Sequence, residues 1–135
     1  MALTLADANQ IMQGALDKAK EMNIRISVAV CDAGGRLVAF SRMDGAIWAS
    51  VYGCQGKAIA SVAFARPSGE LAERAGSPII QGIAAAEGGH MIPSQGGMPI
   101  IRHGVAEGAC GVGGGTGQQD EDCARAGVAK LLERG

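Results

Sequence analysis

The chain has 135 residues, of which 47% are apolar and only 3% aromatic, and a formal net charge of -1. That length suits one domain, residues 1–135, with an ordinary core. The near-neutral balance, with no basic run interleaved with aromatics, speaks against nucleic acid as a partner, and no apolar stretch is long enough for a membrane span. The first twenty-two residues lack the basic start and cleavage site of a leader, so a cytoplasmic protein is expected.

The first element is a helix. Thr4 and Asp7 have capping-box spacing with Asp in place of Glu, and Leu5, Ala8, Met12, Ala15, Ala19 and Met22 recur at intervals of three and four. Near Asn23 the period changes to two. Ile24, Ile26, Val28 and Val30 alternate with Arg25, Ser27 and Ala29, the pattern of a half-buried strand. Asp32-Ala33-Gly34-Gly35 then supplies turn chemistry, and Leu37, Val38 and Phe40 return as the second strand of a hairpin. Arg42 and Asp44 close it with two charges.

From Ile47 to about Phe64 a second helix is expected, with Ile47, Val51, Cys54, Ala58 and Val62 as its apolar stripe. Gly53 and Gly56 each cost a helix about 1 kcal/mol against Ala, which implies that something packs closely there: a backbone, a flat ligand or another subunit. Glu70 to Gln81 reads as a short helix that Pro78 breaks. Residues 87–97 are too rich in Gly and Pro for regular structure apart from a short strand near Met91. Pro99–Arg102 and Ala106–Val112 read as the last strands, turning at His103-Gly104. Thr116 and Gln119 form a second capping box, opening a final helix on Ala124, Val128, Leu131 and Leu132. The expected order is α-β-β-α-β-β-β-α, an α+β layer fold.

Four motifs carry a family resemblance. They are the run from Val30 to Ala46 with Lys57-Ala58 on the next helix, Gly96-Gly97-Met98-Pro99-Ile100, Gly108-Ala109-Cys110-Gly111-Val112-Gly113-Gly114, and Asp120. Together they resemble the GlcG/HbpS-like family, which includes the C-terminal domain of PduO-type proteins, over nearly the whole chain. The resemblance implies a profilin-like antiparallel sheet with helices packed on it, closed homo-oligomers, and a protein binding haem or another small molecule, associated with small-molecule catabolism. The chain departs from the family in two respects. Some relatives are described as ligating haem through an early histidine, whereas none occurs here before His90, and Cys110 and Gly113 replace the more usual Ile and Ser.

Two functional readings follow. In the first, a flat apolar ligand, haem included, binds against small-residue helix faces. Its iron would be ligated by His90, His103 or Tyr52, and its acids held by Arg42, by Lys57 or by the amides of Gly113, Gly114, Gly115 and Thr116 at a helix start. In the second, the chain is an isomerase, lyase or hydrolase acting on an oxygenated carboxylate. Asp44 or Lys57 would move the proton, with Arg42 holding the charge. The glycine-rich run does not read as a nucleotide loop, for it lacks a Gly-Lys-Ser/Thr ending and a following βαβ unit. Cys31, Cys54, Cys110 and Cys123 show no Cys-x-x-Cys spacing, and no structural zinc or other metal site is expected.

Overall fold

The computed structural model describes residues 2–133. Helix α1 (Leu5–Glu21) leads into the hairpin β1 (Ser27–Asp32) and β2 (Leu37–Arg42), then α2 (Ala49–Phe64). A 3₁₀ helix (Ser68–Arg74) and α3 (Pro78–Ala86) precede a second hairpin, β3 (Gly97–Arg102) and β4 (Val105–Gly113), and α4 (Gly117–Leu132) follows. The strands form one antiparallel sheet in the order β2-β1-β4-β3. This is the expected α+β layer architecture, with β1 and β4 central.

Local chemistry accounts for the punctuation. The Thr4 hydroxyl accepts the Asp7 N–H and the Asp7 carboxylate accepts the Thr4 N–H, a complete capping box. Thr116 and Gln119 repeat the arrangement at α4. In the first hairpin, Asp32 Oδ1 accepts the N–H groups of Gly34 and Arg36 while Gly35 takes φ +78°, so the turn is built on the aspartate side chain. The second hairpin turns on His103 (φ +53°) and Gly104 (φ +77°), both left-handed as a tight primed turn requires.

The two faces of the sheet differ in kind. Val28, Val30, Ile100, Cys110 and Val112 project into the main core, where they meet Ala8, Ile11, Ala15 and Ala19 of α1 and Cys123, Ala124, Val128 and Leu131 of α4. The helices themselves cross at glycines: a Cβ on Gly14 would stand 2.9 Å from the Gly127 Cα. The opposite face carries Ser27, Ala29, Cys31, Ala109, Gly111 and Gly113, and α2 lies directly on it. A Cβ on Gly111 would collide with the Cys54 carbonyl oxygen. Across this face the Ser27 and Ser50 hydroxyls bond at 2.8 Å.

Four local expectations need correction. Strand β1 is buried on both faces, because α2 covers the small residues that a half-buried strand would show to solvent. Residues 87–97 contribute no strand before Gly97; Met91 instead fills a satellite core with Ala60, Leu71 and Ile80. Pro78 begins α3, at the position where its missing N–H costs nothing, with Ser77 as cap. Ile47 precedes α2 and is 63% exposed, so it is no part of the apolar stripe.

Candidate functional site

Helix α2 has a third side, turned away from the sheet and bordered by Ile59, which also packs against the satellite core. Tyr52, Gln55, Gly56 and Ile59 fall at i, i+3, i+4 and i+7, one face of a helix, and they form the floor of an open groove of about 760 Å³. One wall is the first hairpin turn, with Gly35, Arg36 and Leu37; the other is the end of α3 and the chain after it, including Glu87, Gly88, Gly89, His90 and Ile92. Gly56 sets the second wall. Its carbonyl accepts the Ile92 N–H at 3.0 Å, and a Cβ there would meet the Ile92 side chain and stand 2.8 Å from the His90 carbonyl oxygen. The close packing expected at Gly56 is therefore supplied by this chain's own Ile92 side chain and His90 backbone. Gly53 has nothing within 4 Å of a Cβ.

Two iron-ligating side-chain types line this groove. Neither the His90 imidazole nor the Tyr52 hydroxyl hydrogen-bonds to another of the described residues, and both residues are exposed. Tyr52 packs edge-on against Trp48, ring centroids 6.3 Å apart. Arg36 reaches across to Glu87, Nη1 to Oε1 3.2 Å. His103 lies elsewhere, exposed at the tip of the second hairpin, so the two histidines do not share a site.

The remaining sequence-derived candidates lie apart from the groove. Arg42, Asp44 and Lys57 do not make a corner: no hydrogen bond or ion pair joins any two of them among the described residues. Arg42 donates from Nε and Nη2 to the Ala46 carbonyl, at 3.1 and 2.7 Å, closing the turn after β2. Asp44 is exposed and its carbonyl faces Arg25. Lys57 points instead toward β4, two strands across from Arg42, donating at 3.0 Å to both the Val112 carbonyl and Asp120 Oδ2.

The glycine-rich run is not an open anion cradle. Asp120 Oδ1 accepts the Gly115 N–H at 2.8 Å, and Gln119 Oε1 accepts the Thr116 N–H at 3.0 Å. The anion at the start of α4 is thus the protein's own carboxylate. Gly113 is buried beneath Ser50 and Cys54, and Gly114 turns the chain with φ +116°. Burial is the largest influence on the Asp120 carboxyl and raises its pKa above the usual value, against the opposing pull of Lys57 and the Gly115 amide. All four thiols are buried, and loss of solvation pushes Cys31 and Cys54 up to about 12 and Cys123 to about 11.

Residues 3–129 match the family described as haem-degrading protein HbpS-like. The chain belongs to the HbpS-like family. Among solved structures it is similar to the Klebsiella pneumoniae protein ORFY, with TM-score 0.87 and 28% identity over 96% of this chain and 90% of that one. A structure of HbpS is similar at TM-score 0.84 and 32% identity, over 96% and 89% of the two chains. The complex of PduOC with haem is similar at TM-score 0.86 and 27% identity, over 96% and 95%. Among curated proteins, the corrinoid adenosyltransferase PduO of Salmonella typhimurium is 28% identical over 97% of this chain, which spans only 39% of that protein's length.

Sequence reasoning missed part of the HbpS-like groove, namely Arg36, Glu87 and Ile92. A signal existed for the floor: Tyr52, Gln55, Gly56 and Ile59 share one helical face. The wall residues carried none, because a turn and a loop distant in the chain supply them.

Proposed function

We propose that this HbpS-like chain binds haem in the groove between α2, the first hairpin turn and the 86–92 segment, with His90 as iron ligand and Tyr52 as the alternative. The observation that carries this reading is that these two side chains line one groove of ligand size, with no hydrogen bond to either among the described residues. The chemistry of the lining suits the group. Ile59, Ile92 and Leu37 offer apolar contact to a flat ring, Gly35, Gly88 and Gly89 leave stretches of the walls without side chains, and Arg36 supplies positive charge. When bound, haem would supply redox-active iron whose behaviour depends on the axial ligand; the chain's own contribution is to hold, orient and shield it. The haem complex of PduOC supports the reading.

The wider assignment to small-molecule catabolism, as a cytoplasmic homo-oligomer, belongs to the same proposal. Self-association draws support from Ile47, Trp48 and Tyr52 around the start of α2, which are 63%, 70% and 67% exposed, with the Trp48 and Tyr52 rings in contact.

Titration of the purified protein with hemin, followed by Soret absorbance, tests the haem reading. Saturable one-to-one binding with a shifted band is expected, lost in His90→Ala or Tyr52→Phe and kept in His103→Ala. Non-saturating binding indifferent to His90 and Tyr52 would remove haem from the account.

A further inference from the structure

The charged inventory of the groove is small. Arg36 is the one lysine or arginine among its lining residues and Glu87 the one acid, and the two are paired to each other at 3.2 Å. Arg36 Nη1 also approaches the Gly34 carbonyl at 3.4 Å, which leaves most of the five guanidinium N–H groups without an acceptor among the described residues. The Arg36 side chain is 72% exposed and that of Glu87 32%. An ion pair this open contributes little to stability, because water competes for both partners.

We propose that Arg36 is the carboxylate-holding residue of this groove, and that Glu87 occupies it until an acid group of the ligand takes its place. The groove then selects flat apolar ligands that carry carboxylates over neutral ones of the same shape. This deepens the haem reading and rests on it.

Three features make the exchange favourable. A ligand carboxylate can meet the guanidinium through two parallel N–H···O bonds, whereas Glu87 engages it through Nη1 alone. Glu87 stands at the C-terminal end of α3 with its side chain 32% exposed, so solvent is within reach once it is released from Arg36. Finally, Gly88 and Gly89, at φ +74° and +79°, are all that separate Glu87 from His90. The competing acid and the proposed iron ligand thus sit on one short segment, separated only by two glycines, so both belong to the same wall of the groove.

The test is a Soret titration of the wild type, Arg36→Gln and Glu87→Gln with hemin and with hemin dimethyl ester. The ester keeps ring and iron but lacks the acids. The wild type is expected to bind hemin about tenfold more tightly than the ester. Arg36→Gln should abolish that preference, and Glu87→Gln should tighten hemin about two- to fivefold with no effect on the ester. Equal affinity of the wild type for both forms, a preference that survives Arg36→Gln, or unchanged or weaker hemin binding in Glu87→Gln would each overturn the assignment while leaving the haem reading in place. Saturable binding of neither form would overturn the haem reading, and this one with it.

Discussion

Lys57 and Asp120 are 63 positions apart in sequence yet lie 3.0 Å apart, with side chains 12% and 3% exposed. The pair pins the middle of α2 to the start of α4. Its ammonium also takes the Val112 carbonyl, and its carboxylate the Gly115 amide, so one contact gathers a helix, a strand end and a turn.

Removing one partner therefore strands a buried charge. Lys57→Met should destabilise the fold by about 3 kcal/mol, whereas Lys57→Met combined with Asp120→Asn should recover most of that loss. Urea denaturation midpoints of the three proteins decide the matter. A single-mutant cost close to that of an exposed pair, under about 1 kcal/mol, would mean that water reaches the site.

Gly53 of α2 and Gly111 of the sheet should respond in opposite directions to the same change. Gly111→Ala drives a methyl into the Cys54 carbonyl and the Ala58 nitrogen, both backbone atoms, and should cost about 3 kcal/mol. Gly53→Ala meets nothing within 4 Å and should stabilise by up to about 1 kcal/mol through helix propensity. Thermal melts of both variants check the pair.

Thiol chemistry offers a third check. Cys31, Cys54, Cys110 and Cys123 are buried and all raised in pKa by desolvation, so thiolate is scarce and shielded. Ellman's reagent at mildly alkaline pH should find no reactive thiol in the folded protein and four in denaturant. A rapid native reaction would show that a helix opens on the timescale of the assay.

Asp7 gives a pH dependence with a definite sign. The Thr4 N–H, and then Arg102 at 3.0 Å, hold its carboxyl below the ordinary value of about 3.8. The unfolded chain therefore takes up the proton first as pH falls. The stabilisation is complete above the unfolded value and is lost as pH drops through the lower folded one. Melting temperature against pH, from about pH 5 downward, should fall less steeply in Asp7→Asn than in the wild type.

Features encoded within a few residues were legible in the sequence. The Asp32 turn, both capping boxes and the His103-Gly104 reversal each depend on neighbours in the chain, so spacing alone identifies them. The misreading of β1 has a physical origin: its alternation is of large and small residues, Val28 and Val30 against Ala29 and Cys31, and a helix can lie on the small ones. The partner of Lys57 was illegible for another reason. Asp44 is nearer in sequence, but only the sheet topology, which places β4 beside β1, brings Asp120 to the amine. The glycine-rich run looked like a vacant anion site because its amides were visible in the sequence and their internal acceptors were not.

Because α2 rests on the sheet backbone to backbone, it can neither roll nor slide without collision. Its groove-facing positions 52 and 55 are consequently held at fixed bearings by contacts with the sheet that they do not themselves make. Such a helix is a natural breadboard: those two side chains can be re-lettered to suit a different guest, while Gly56, which seats the opposite wall, and Ile59, which packs on the satellite core, have to stay as they are. Selection or a designer could change what the groove accepts and leave the scaffold's folding untouched.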